Sequence, residues 1–279
     1  MRAIPTTDGL TLGLHEHGGT GRPVLLCHAT GFHGAVWEPL SAALGDGFER
    51  WAVDFRAHGA SPVPVDHPLD WEGMGDDVLA AVDAIDVAPG ALLGVGHSMG
   101  GAALLLAEQA RPGTFAGLWI FEPIVPHPVA AAAMQGANNL ADGAKRRRPS
   151  FPSTAEALAN FASKAPLSVL RADALHAYVR HGLQPGEDGA VHLACRPSDE
   201  SRIYSKGGSH GAFERLGEVA CPVVVACGRD EPGPGMFIPP MIEALPHARM
   251  ERHDHVGHFG PLEAPAEMAA AIAAFAAEL

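Results

Sequence analysis

Two hydrophobic patterns take turns along this chain. Short apolar runs near 3–6, 11–17, 23–27, 48–53, 92–96, 117–121, 222–227 and 248–253 read as strands. Longer Ala- and Leu-rich stretches near 35–44, 74–86, 98–110, 238–245 and 265–278 read as helices. Pro23–Cys27 and Pro222–Cys227 are apolar throughout, as strands covered on both faces must be. Such alternation predicts the α/β class: a mostly parallel sheet of about eight strands with helices on both faces.

The alternation breaks once. Between the runs ending at Phe121 and starting at Pro222, about a hundred residues pass without a core strand, far more than a crossover needs. Segments 153–164 and 171–181 have helical spacing, and Ser153 with Glu156 three residues on forms a capping-box pattern. The predicted organisation is therefore a core of 1–123 and 207–279 carrying an inserted helical cap at 124–206.

Leu92–Gly101 places G-x-S-x-G (Gly96, Ser98, Gly100) between an apolar strand and an Ala/Leu helix. At a sharp strand-to-helix turn the flanking glycines remove side chains that would collide, and the serine hydroxyl projects above the sheet. The helix N-terminus adds positive potential where an oxyanion would form. Ser98 is the predicted nucleophile.

A serine nucleophile needs a base, and the base needs a carboxylate. His258 lies between the last predicted strand and the C-terminal helix, so it is the predicted base among 16 histidines. For the acid, Asp230 closes the segment Gly228-Arg229-Asp230 after the penultimate strand and is preferred. Glu122, at the end of the strand Leu118–Phe121, is the alternative acid or else a pocket-lining or structural carboxylate. The cluster His253, Asp254, His255, His258 invites a metal reading, but its spacing matches no strong zinc signature, so no metal or other cofactor is expected. Thr30, in the loop His28–Phe32, and Met99, after the nucleophile, are the predicted oxyanion-hole amides. His97 and His28 read as structural hydrogen-bonding groups, and His33 as a candidate substrate contact.

With GHSMGG (96–101), DFRAHGAS (54–61) and HATGF (28–32) in this order, the chain resembles the α/β-hydrolase family over nearly all of its length outside the cap. Two positions depart: Ala57 and Ala29 stand where the family's motifs usually carry glycine. The resemblance implies a Ser-His-acid enzyme that cleaves a small-molecule carboxylic ester or lactone through an acyl-enzyme. It leaves two alternatives, a carbon–carbon bond hydrolase with the same triad and a non-catalytic small-molecule receptor. Dehalogenases and epoxide hydrolases of this fold carry aspartate at the elbow, so Ser98 argues against both.

Charge and cysteine content narrow the partners. The 279 residues carry a net charge of −13, which disfavours nucleic acid and anionic membranes. The basic run Lys145–Arg148 reads as a solvated face. Cys27, Cys195, Cys221 and Cys227 form no C-x-x-C pair, so free thiols in a reducing cytoplasm are expected. The opening residues show no apolar signal region. A homodimer is compatible with all of this.

Overall fold

The computed structural model describes residues 1–134 and 138–279. Strands β1 (Arg2–Pro5), β2 (Thr11–Gly18) and β3 (Arg22–Cys27) lead to helix α1 (Glu38–Leu44), then β4 (Phe48–Val53) and α2 (Trp71–Ile85). Strand β5 (Leu92–His97), helix α3 (Met99–Ala110) and β6 (Phe115–Phe121) follow. An insertion then holds α4 (Pro128–Met134), α5 (Asn139–Lys145), β7 (Ser150–Phe151), α6 (Thr154–Ala162), α7 (Ala172–His181), β8 (Leu183–Pro185), β9 (Val191–Leu193) and α8 (Pro197–Lys206). The chain closes with β10 (Val223–Cys227), α9 (Ile238–Ala244), β11 (Ala248–Arg252), α10 (Gly260–Glu263) and α11 (Pro265–Ala276).

All eight predicted strands join one sheet, in the order β1-β2-β4-β3-β5-β6-β10-β11. The pairs β1/β2 and β2/β4 are antiparallel and the remainder parallel. Alternation along each central strand feeds two cores. Leu25, Leu118, Ile120, Val223 and Val225 pack beneath α2, α3 and α9. Val24, Leu26, Trp119, Phe121, Val224 and Ala226 pack on the other face with α1 and α11. Their apolar character on both faces is what β-strands between two helical layers require.

The order of connection reverses beside β3, whose neighbours are β4 and β5. Ligands in open α/β sheets bind at such a switch point, beyond the strands' carboxyl ends. The loops after β3, β5, β6, β10 and β11 all leave this edge.

The insertion departs from the helical expectation by one feature. Strands β7, β9 and β8 form a small antiparallel sheet of their own. Strands of two and three residues are too short to display a period-two pattern, so nothing in the chain announces them. The α6 cap is as expected, with the Ser153 hydroxyl accepting from the Glu156 amide at 3.2 Å. Among the described residues, no helix is long and apolar enough to cross a membrane.

Candidate active site

The turn between β5 and α3 puts Ser98 at φ 55°, ψ −114°, a conformation that L-residues rarely adopt. Its amide donates to Phe121 O at 2.9 Å, tying the turn to β6. The flanking glycines are sterically required. A Cβ on Gly100 would lie 2.1 Å from Cys27 O, and one on Gly96 would lie 2.6 Å from Gly101 N. Replacing Gly100 by alanine is therefore expected to destabilise the fold by several kcal/mol, a strain-type loss that denaturant titration measures. An unshifted midpoint would contradict this packing.

The opposite wall comes from the β11–α10 loop. The His258 Nδ1 atom lies 2.7 Å from Glu122 Oε2. The other carboxylate oxygen, Oε1, accepts the Gly228 amide at 3.0 Å. Glu122 is 5% exposed, and both its oxygens are engaged. With Nδ1–H directed at a carboxylate, the imidazole keeps Nε2 available as a proton acceptor. The His258 backbone carbonyl is held by His97 Nε2 at 2.8 Å, which gives His97 the structural part expected of it.

The carboxylate against the imidazole is Glu122, not the preferred Asp230. Asp230 is exposed and makes no hydrogen bond or ion pair among the described residues, while Glu122 occupies the place expected for it. The cause lies in chain direction. Glu122 is the first residue beyond β6, its amide extends the ladder to Ala226 O at 2.9 Å, and its φ of 43° turns the chain just there. After β10, by contrast, Gly228 turns in toward Glu122 and Arg229 binds Val256 O, and by Asp230 the chain has reached solvent.

Ser98, Glu122 and His258 line one cavity of about 550 Å3 with Thr30, Trp71 and Phe259. Thr30 and Met99 are buried together, with the Thr30 hydroxyl 3.3 Å from Met99 Sδ. Neither backbone amide donates to another group among the described residues. The neighbouring Gly31 amide is already used, donating to His58 Nε2 at 3.0 Å.

Two neutral imidazoles lace the loop after β3 to the loop after β4. His28 Nδ1 donates to Ala29 O at 2.8 Å and Nε2 accepts from Phe55 N at 3.1 Å. His58 Nδ1 donates to Arg56 O at 2.9 Å while Nε2 receives Gly31. This role of His58 escaped the sequence reading, although its motif was recognised. Ala57, in the position usually held by glycine, adopts φ 66°. His33 does not join the Ser98 cavity. It is buried with Nε2 3.0 Å from Tyr178 O, stacked on the Tyr178 ring.

The remaining expectations divide. His253 Nδ1 lies 2.9 Å from Glu267 and its Nε2 2.9 Å from Glu251, and His255 also pairs with Glu267, so ion pairs separate both from His258. Within the basic run, Lys145, Arg146 and Arg148 are exposed, but Arg147 turns inward. It pairs with Glu200, and its other terminal nitrogen donates to Tyr178 Oη at 2.6 Å. The solvated-face expectation fails for this residue because two buried acceptors outcompete water. All four cysteines are free and buried.

Burial lowers the basicity of His33 and His58 to about 4, and pushes His28 and His97 well below the usual value as well. Their cations are favoured in the unfolded chain, where histidine titrates near ~6.5, so stability is complete above that pH and declines as pH falls below it. Each such histidine contributes a slope of up to ~1.4 kcal/mol per pH unit, ending near pH 4 for His33 and His58. Denaturant titrations are expected to show the midpoint falling from pH 7 to pH 5, above the range where most carboxylates titrate. A constant midpoint would contradict neutral buried imidazoles.

Residues 24–271 match the family described as Alpha/beta hydrolase family. The chain belongs to this family. The pimeloyl-[acyl-carrier protein] methyl ester esterase of Methylococcus capsulatus is 35% identical over 113 residues, covering 35% of this chain and 44% of that protein. The monoglyceride lipase of Homo sapiens is 35% identical over 128 residues, covering 44% of this chain and 42% of that protein. The chain thus spans less than half the length of either relative. Among solved structures, E-2-(acetamidomethylene)succinate hydrolase superposes with a TM-score of 0.81 at 22% identity, covering 98% of this chain and 97% of that one. The protein is an α/β hydrolase with relatives of esterase type.

Proposed function

We propose that this α/β hydrolase cleaves a small-molecule carboxylic ester or lactone by a Ser98-His258-Glu122 triad. The observation that carries the reading is the Glu122–His258 contact of 2.7 Å at the rim of the cavity lined by Ser98. In the first step Ser98 Oγ attacks the carbonyl carbon while His258 Nε2 takes the hydroxyl proton, and Glu122 stabilises the imidazolium through Nδ1. The Thr30 and Met99 amides face the oxyanion, helped by the N-terminus of α3. His258 returns its proton to the departing alkoxide. A water then attacks the acyl-enzyme with His258 again as base, which releases the acid and restores Ser98. No cofactor enters either step.

The insertion supports a cap role in this reading, since Asn139, Leu140, Pro166 and Tyr204 come from it and line the same cavity. Esterase activity among the relatives agrees with an acyl-transfer site. The test is covalent. A fluorophosphonate probe is expected to label the protein stoichiometrically at Ser98, located by peptide mass spectrometry, with loss of turnover on p-nitrophenyl esters in proportion to labelling. Absence of labelling together with absence of turnover would favour the receptor alternative.

A further inference from the structure

A second cavity, of about 610 Å3, adjoins the one lined by Ser98, and the two share Thr30, Phe32, Leu140, Pro166, Tyr204 and Phe259 as walls. Its charged lining is one-sided: Arg146, Arg147, Arg148 and Lys164 face the cavity with Glu200 as the one carboxylate. Glu200 is already committed to Arg147. Among the described residues, Arg146, Arg148 and Lys164 have no carboxylate within ion-pair distance. Lys164 Nζ donates to Asn160 Oδ1 at 2.7 Å, and the Arg148 guanidinium lies 4.6 Å from the centre of the Phe151 ring.

This arrangement runs against the charge of the molecule. In a chain of net charge −13, three cations without acidic partners are gathered on one concave surface beside the candidate nucleophile. Like charges so placed repel one another, and an anion between them relieves that repulsion as well as gaining attraction from each. The Ser98 cavity has the opposite balance: its lining includes Glu122 and Glu231 but no lysine or arginine. An elongated ligand with one anionic end is therefore oriented by the field, anion toward the arginines and neutral end toward Ser98. Phe151 and Phe161 supply apolar wall for the carbon chain between.

We propose that the substrate carries an oxyanion head group at the end remote from its reacting carbonyl, held by Arg146, Arg148 and Lys164. The inference rests on the reading of Ser98 as nucleophile. Guanidinium forks donate to carboxylate and phosphate oxygens alike, so the shared chemistry is the anionic oxygen pair. Arg147 is left out because its ion pair with Glu200 already joins α8 to the segment after α5.

The test compares monomethyl adipate with methyl hexanoate, which share a reacting methyl ester and chain length. The wild-type protein is expected to favour the anionic ester in kcat/KM by about tenfold or more, a preference that falls as salt rises from about 50 mM to about 500 mM. Combining Arg146→Gln, Arg148→Gln and Lys164→Gln is expected to reduce the ratio of the two kcat/KM values about tenfold, mainly through KM for the anion. A binding arm is independent of turnover: calorimetry on Ser98→Ala protein with adipate, hexyl phosphate and hexanol. Either anion binding about tenfold tighter than hexanol, with the advantage removed by the triple substitution, supports the site, and the tighter of the two identifies the head group. Hydrolysis of both esters without anion preference, with all three ligands bound equally, overturns the inference while the hydrolase reading stands. Failure to hydrolyse either ester, beside preferential anion binding, leaves an anion site but overturns the reading of Ser98 as nucleophile and with it the assignment of that site to a substrate.

Discussion

Glu122→Gln is expected to lower kcat by about 10^4-fold while leaving the fold intact, the magnitude that the analogous Asp→Asn change has in a serine triad. The side chain is nearly isosteric, and its oxygen can still accept the Gly228 amide that Oε1 accepts at 3.0 Å. At the other end, an NH2 group would meet His258 Nδ1, which lies 2.7 Å away. Two donors cannot face one another, so the imidazole must move its proton to Nε2, the atom needed to accept the proton of Ser98. The charge that stabilises the imidazolium is lost as well. Asp230→Asn, at an exposed residue with no partner among the described residues, is expected to change kcat by less than about threefold. Both variants are compared on one activated ester, with circular dichroism to confirm folding. Collapse of Asp230→Asn beside a near-normal Glu122→Gln would reassign the acid.

Ser98→Ala is expected to reduce ester turnover by about 10^4-fold or more, with residual activity from binding and the oxyanion hole alone. The loss should appear in kcat, with substrate affinity retained, because the hydroxyl is what attacks and the remaining cavity walls are unchanged. The strained turn is unchanged by the substitution, since alanine tolerates φ 55° no better than serine. Burst kinetics supply the positive control, since the wild-type enzyme should release one equivalent of alcohol before its steady state and the variant none. Wild-type turnover in the variant would remove Ser98 from the chemistry.

How far the chain can be read without coordinates depends on whether a feature is local. The eight core strands were legible because runs such as Val223–Cys227 are apolar on both faces, and the sharp turn at Ser98 because Gly96 and Gly100 record a steric constraint within five residues. The placement of His258 in the cavity lined by Ser98 followed from its position after the last strand. The carboxylate beside it did not, because two carboxylates sit beyond neighbouring strands and only the path of each loop determines which one reaches the imidazole. That path depends on the Gly228–Glu122 bond, which joins residues 106 apart. Arg147 escaped for the same reason, its partner Glu200 lying 53 residues away. Basic residues in a row look solvated until the fold brings an acceptor to one of them.

A carboxylate partner for His258 at the end of β6, as in the proposed triad, divides labour between neighbouring loops. The segment after β10 retains one fixed duty, the Gly228 amide, and beyond it Glu231, Pro232, Pro234, Met236 and Phe237 form a wall of the Ser98 cavity. In that wall, shape can drift while the Glu122–His258 contact is kept, since among the described residues none of these side chains makes a hydrogen bond or ion pair with the imidazole. Variation confined to 231–237 thus offers a path along which selectivity can change by small steps while catalytic competence is inherited intact.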